Sequence, residues 1–402
     1  MRTFVTGFAA LLACAALAAS TPAEEAARTA AITSTMAALN QEVQREAGGD
    51  WSRWYGQLAA FRADLTEKLD AARGREAAFK ADPSSAPNAL LRADLVPPMY
   101  DVPENAAYLV PADAEHFAAT RPAVPAFSTV SKWLRQRGID LIVVPAPRIA
   151  EVYPDHIAAG VPPSRIVAPH LRRVLLDLLA ADVEVVDLLP AFLRERDGDP
   201  SPLYLLTDGH WSDRAQRIAA AEIAARLKRY SVVEAALATP ARFEATPDQV
   251  SFPGSLFTSL TPSEQAEIEP IIATTPLTMI KATAKTGFGR SRLLGPKEAD
   301  GKAPFQGTPF QEPDTSPVVV IGDSFTHYFQ LAIKAGTGID ALLSKEINIP
   351  VSNVSSAGAT TGPIKDFLRR PTLIQDRRVV VWIVSSGVVS YDSMWDLPPL
   401  PQ

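Results

Sequence analysis

Two short motifs carry the residue types of a nucleophilic triad. Thr207-Asp208-Gly209-His210-Trp211 comes first, and Gly322-Asp323-Ser324-Phe325 follows much later, directly after the β-branched run Val318-Val319-Val320-Ile321. Ser324 is a hydroxyl nucleophile that needs a base, His210 can take its proton, and Asp208 can fix one imidazole nitrogen so that the other is free to act. The serine lies 114 residues beyond the histidine. Only the fold can join them, so the triad is an expectation about structure as much as about chemistry.

The flanking sequence indicates how each half is positioned. A continuous β-branched run reads as a buried strand, and Gly-Asp-Ser at its end as a tight turn. Ligands of open α/β sheets bind beyond the carboxyl ends of the strands, where Ser324 falls. Gly322 permits a close approach of backbones. The segment 325–335 is expected to form a helix whose first N–H groups face a developing oxyanion. Asp208 and His210 sit on a loop entering a second helix, expected over 212–230. Read singly, Gly-Asp-Ser is also a common turn, and Asp-x-His also a helix cap beside a surface histidine. Of the five histidines, His116, His156, His170, His210 and His327, only His210 has an acidic residue two positions before it and a tryptophan after it. His327 is the rival base, three residues past Ser324, where a helical position points away from the turn. Tyr328 lines the site or packs on the sheet, with packing the stronger reading. Trp211 serves substrate or local packing.

This combination resembles the SGNH-hydrolase-like domain of the alginate O-acetyltransferases, the AlgJ and AlgX proteins. There, as here, the Asp-x-His block precedes the serine block, the reverse of the order in ordinary SGNH esterases. Leu141-Ile142-Val143-Val144-Pro145-Ala146-Pro147-Arg148, followed by Tyr153-Pro154, is similar to a strand, a proline, a basic residue and Tyr-Pro in that family. By motif order the resemblance spans about 100–391. It implies an α/β fold, with an SGNH-like (flavodoxin-like) parallel sheet flanked by helices. It also implies Ser324 as nucleophile, His210 as base and Asp208 as orienting acid, with Gly358 lending an oxyanion N–H. Asn353 is a second donor or a turn residue after the apolar run 347–351. Arg148 faces substrate or is a solvated surface arginine. One departure stands out. After Val379-Val380-Val381-Trp382-Ile383-Val384 comes Ser385-Ser386-Gly387, where the family carries an acidic, arginine-containing segment.

Composition agrees with a globular enzyme. The chain has 402 residues, 47% of them hydrophobic, and a net charge of −6, which disfavours a nucleic-acid partner. Residues 1–20 read as a signal peptide: Arg2, an apolar stretch over 4–17, then Ala16-Leu17-Ala18 as cleavage site. An uncleaved anchor, or lipidation at Cys14, is the lesser alternative. Cys14 is the only cysteine, so a chain cleaved after Ala18 has no thiol chemistry and no disulfide. A periplasmic location follows. Residues 24–105 are expected to form two helices broken near Gly48-Gly49 and then a proline-rich linker. Trp51, Trp54 and Tyr55 form a core cluster or, less readily, a sugar platform. Residues 106–402 are the catalytic domain, with a long irregular insertion over about 239–317 crossing the active site. Gly287-Phe288-Gly289-Arg290 within it lacks the strand and helix of a phosphate loop. No grouped His or Cys suggests a metal site, and Asp187 with Asp208 and His210 is a weak ligand set. No cofactor is expected.

Three functions fit these residues: a periplasmic O-acetyltransferase acting on an exopolysaccharide, an esterase or deacetylase with the same triad, and a non-catalytic polysaccharide-binding protein. The resemblance favours transfer. Because acetyl-coenzyme A is cytoplasmic, it also implies a membrane-bound O-acyltransferase as the acetyl-donor partner.

Overall fold

The computed structural model describes residues 20–67, 122–158, 160–198, 202–205, 208–250, 316–329, 337–356 and 361–390, the segments 277–284 and 291–294, and a few isolated positions elsewhere. Residues 1–19 of the expected leader, the linker, Gly287-Phe288-Gly289-Arg290, His116 and Gly358 therefore lie outside the described residues, as does the side chain of His327.

A six-stranded parallel sheet forms the centre. Its strands are β1 (Asp140–Ala146), β2 (Glu184–Val185), β5 (Ser291–Leu294), β6 (Val318–Gly322), β7 (Ser352–Ser356) and β8 (Val379–Ser385), in the order β2-β1-β8-β6-β7-β5. The central strands β1, β6 and β8 are buried along their whole length. That is why they read as unbroken apolar runs rather than alternating ones. The register sets Gly322 beside Ile383 on one side and Ser355 on the other. The carboxyl ends of β1, β6, β7 and β8 thus finish together along one edge of the sheet.

Helices pack around this sheet. α1 (Pro22–Ala47) begins with a capping box built by Thr21 and Glu24 and ends where Gly48 turns left-handed at φ 64°. Glycine is the residue that enters this conformation without a Cβ penalty. α2 (Trp51–Gln57) then starts at its own cap, Asp50. The break at Gly48-Gly49 lies where the sequence placed it. Trp54 is wholly buried and donates its indole N–H to the carbonyl of Ile166 at 3.1 Å, while Trp51 stacks on it. The aromatic cluster is core. α3 (Ala123–Arg135), α4 (Ile149–Val152), α5 (Pro169–Ala180), α6 (Asp213–Leu227), α7 (Ser324–Tyr328), α8 (Ile339–Ile347) and α9 (Gly362–Arg369) complete the elements used below. The described part of the C-terminal tail packs inward, with Trp395 buried against Phe127 and Trp382.

Two expectations are corrected by the fold. Asn353, expected as an oxyanion donor or a turn residue after the apolar run 347–351, lies within strand β7. Ser-Asn-Val-Ser-Ser is too polar to read as a buried strand, yet every residue of it is buried, because strands pair with both its edges and the helices 324–328 and 362–369 pack on it. The 239–317 segment is also more regular than its composition suggests. β3 (Phe243–Val250) and β4 (Leu277–Ala284) pair antiparallel as a separate ribbon, and β5 joins the main sheet beside β7. Pro247 falls within β3, a position tolerated because a two-stranded ribbon consists of edge strands only. Among the described residues no helix is long and apolar enough to cross a membrane.

Candidate active site

Asp208 and His210 pair directly. The His210 ring Nδ1 lies 2.5 Å from Asp208 Oδ1, and the same oxygen accepts the His210 backbone N–H at 2.9 Å. A carboxylate only accepts, so Nδ1 carries the proton and Nε2 is left as the basic nitrogen. Asp208 is wholly buried, whereas the His210 side chain keeps 19% of its exposure. The carboxylate of the pair is thus sealed off while the imidazole remains reachable. Downstream, Ser212 caps α6 by accepting from the backbone N–H of Ala215, which fixes where the motif enters the helix.

The second motif ends β6. Asp323 accepts the backbone N–H of Phe325 at 3.0 Å, making the Asx turn that starts α7, and Ser324 is the first residue of that helix. Gly322 is required by packing rather than by unusual dihedral angles. A Cβ there would meet the backbone carbonyl of Ile383 at 2.5 Å and crowd the methyl of Thr326.

The fold brings the two motifs together through α7. The indole N–H of Trp211 donates to the carbonyl of Phe325 at 3.0 Å. The His210 ring packs against Phe325 with centroids 5.2 Å apart, and stacks on Tyr328 at 4.0 Å and 11°. The Tyr328 hydroxyl donates to Asp208 Oδ2. Trp211 is completely buried, so of the two roles left open for it the fold shows packing. Tyr328, half-buried, touches both members of the pair.

Arg148 is neither a solvated surface residue nor an open substrate contact. It is buried, and its guanidinium donates to the Ser385 hydroxyl at 2.7 Å. The departure noted after β8 has a structural counterpart here. The backbone N–H of Ser385 donates to Asp323 Oδ2 at 2.8 Å, and the Ser386 hydroxyl donates to Glu151, which also accepts the Arg148 backbone N–H at 2.8 Å. Burial raises the carboxyls of Asp323 and Glu151 above the usual range. For Asp323, the N–H groups of Ser385 and Phe325 and the charges of His210 and Arg148 oppose that rise. Asp323, Glu151, Ser385 and Ser386 received no role from the sequence. The only available signal was the place of Asp323 inside Gly-Asp-Ser, because the side-chain contacts among the other three and Arg148 join segments far apart in the chain.

Asn353 lies buried in β7, and its amide donates to the carbonyl of Thr326 at 3.3 Å, bracing α7. Asp187 belongs to a different pairing, 2.6 Å from the guanidinium of Arg172. Among the described residues no group of three or more His, Cys, Asp or Glu could hold a metal ion. His156 stacks on Tyr153 beside Asp155.

Comparison with known proteins agrees with this architecture. A family model described as "SGNH hydrolase-like domain, acetyltransferase AlgX" matches residues 105–385, and the chain belongs to that family. No curated protein matches it in sequence. Among solved structures it is similar to the O-acetyltransferase domain of Pseudomonas putida AlgJ, at 17% identity and a TM-score of 0.50, over 73% of this chain and 92% of that one. It is also similar to Pseudomonas aeruginosa AlgX, at 12% identity and a TM-score of 0.47, over 69% of this chain and 58% of that one. The chain thus spans a little over half the length of the AlgX structure.

Proposed function

We propose that this member of the SGNH hydrolase-like acetyltransferase family is a periplasmic O-acetyltransferase, working through an acetyl-serine intermediate on hydroxyls of an exopolysaccharide. The observation that carries the reading is the Asp208–His210 pair held against the helix that Ser324 opens. In the first half-reaction Ser324 Oγ attacks the acetyl carbonyl while Nε2 of His210 takes its proton, and the donor's leaving group departs with that proton. In the second, a sugar hydroxyl loses its proton to His210 and attacks the acetyl-serine, releasing the ester and restoring the serine. Buried Asp208 stabilises the imidazolium formed in each half. Gly358 remains the proposed source of an oxyanion N–H. Asn353 is proposed to act through α7, since one of its amide N–H groups is committed to Thr326. Export by the N-terminal signal peptide places the enzyme outside the cytoplasm, so the acetyl group is proposed to come from a membrane-bound O-acyltransferase partner.

Intact-protein mass spectrometry after incubation with p-nitrophenyl acetate tests this, with and without oligosaccharides. The expected result is one acetyl group on Ser324 of the wild type, discharged to sugar and absent from Ser324→Ala. Discharge to water at a rate that no sugar changes points to the esterase reading. An equal adduct in Ser324→Ala removes the triad.

A further inference from the structure

We infer that Tyr328 is a positioning residue of the Asp208–His210 pair, acting through both its hydroxyl and its ring. The inference rests on the roles proposed above for that pair. The phenol donates to Asp208 Oδ2 while Oδ1 takes His210, so the two carboxylate oxygens are divided between the two side chains. The phenol ring lies parallel to the imidazole at 4.0 Å, with Phe325 packed against the same imidazole at a tilt of 54°. The imidazole is thus fixed in plane by ring packing and in rotation by the carboxylate. Ser324 and Tyr328 are four residues apart on α7, one helical turn, and so share a face. A single short helix therefore carries both the nucleophile and the group that orients the base. Any shift of α7 moves serine, imidazole and carboxylate together, which preserves the relative placement that proton transfer needs. Packing alone explains the ring but not the hydroxyl. A substrate contact explains neither, because the hydroxyl is already committed to a wholly buried carboxylate.

The test compares wild type, Tyr328→Phe and Tyr328→Leu by two readouts. One is the first-order rate of Ser324 acetylation by p-nitrophenyl acetate. The other is the downfield proton resonance of His210 Nδ1–H. Tyr328→Phe is expected to slow acetylation roughly 10–100-fold at unchanged KM, the scale of a small misplacement of reacting groups, and to shift or broaden the resonance. Tyr328→Leu is expected to lose more of both. A Tyr328→Phe protein with wild-type rate and wild-type resonance overturns the inference. So does one with normal acetylation but a raised KM for the sugar acceptor, which would make Tyr328 a substrate contact. If the wild type forms no acetyl-serine, the proposed function fails, while the resonance still decides this inference: lost in Tyr328→Phe it supports positioning, unchanged it refutes it. Should Tyr328→Phe not fold, 3-fluorotyrosine at position 328 keeps the shape and strengthens the phenol as a donor. A moved Nδ1–H resonance then supports the inference and an unmoved one overturns it.

Discussion

The indole N–H of Trp211 donates to the backbone carbonyl of Phe325 at 3.0 Å, and both groups are buried. The two residues stand next to His210 and Ser324 respectively, and the rings meet edge to face with centroids 5.4 Å apart. Two motifs distant in sequence are thereby joined by a bond that uses neither the Asp208–His210 pair nor the Ser324 side chain.

Trp211→Phe keeps the ring contact and deletes the donor. The Phe325 carbonyl is then buried without that partner, at a cost of about 1–3 kcal/mol. Urea unfolding should show a loss of that size, and acetyl transfer should fall with it because α7 and the Asp-x-His loop lose their tie. Undiminished stability would mean that the carbonyl finds another donor.

Gly322→Ala should damage both stability and activity. The added methyl meets the backbone oxygen of Ile383, which cannot rotate away, as well as Thr326. Overpacking of this kind costs about 1–3 kcal/mol. Pairing it with Thr326→Ser removes the flexible part of the clash and should restore little, because the strand carbonyl remains. Full rescue by that second change would show that the side chain, not the backbone, sets the constraint.

Arg148→Met removes the cation beside Asp323 and Glu151 while keeping much of the side-chain volume. The Ser385 hydroxyl is then buried without its guanidinium partner, at a cost of about 1–3 kcal/mol. Denaturant unfolding should report such a loss, together with slower acetyl transfer, since Ser385 holds Asp323 at the turn that presents Ser324. Unchanged activity in a folded Arg148→Met protein would separate this cluster from the chemistry.

Acid should loosen the attachment of α1. Burial works against ionisation of Glu24, but the backbone N–H groups of Ser231 and Thr21 and the guanidinium of Arg378 outweigh it, holding the carboxyl at about 2 against an ordinary 4.5. A lowered carboxyl favours the folded state when ionised. Its contribution is complete above about pH 4.5 and disappears as the pH falls toward about 2. Asp323 and Glu151, raised by burial, act in the opposite sense: the folded state loses stability as rising pH ionises them. Glu24→Gln should therefore flatten the acid limb of a stability–pH curve measured by urea unfolding. An identical limb in the variant would assign it to other carboxylates.

Much of the architecture was written in local pattern. Val318-Val319-Val320-Ile321 and Val379-Val380-Val381-Trp382-Ile383-Val384 read as strands buried on both faces, and are. Gly48-Gly49 can only interrupt a helical pattern, and Ser212 before Asp213 marks a helix start. These features depend on period, propensity and capping, which act over a few residues. The residue types of the reaction were legible for the same reason. A serine at a strand-to-helix turn and a histidine two residues after an aspartate are local arrangements.

What the tertiary structure alone decided is the set of partners. Strand order placed β8 between β1 and β6, and so put Ser385 against both Arg148 and Asp323. Nothing in the sequence near Arg148 distinguishes a buried arginine from a solvated one. Polar β7 escaped notice because hydrophobic pattern reports burial only when the buried face is apolar, whereas its serines and asparagine are buried beneath helices that pack on the sheet. Tyr328 looked like packing because its hydroxyl partner, Asp208, lies 120 positions earlier in the chain. Sequence fixes which groups are available and the element each sits on. The pairing of groups across elements is set by sheet topology, which no local interaction encodes.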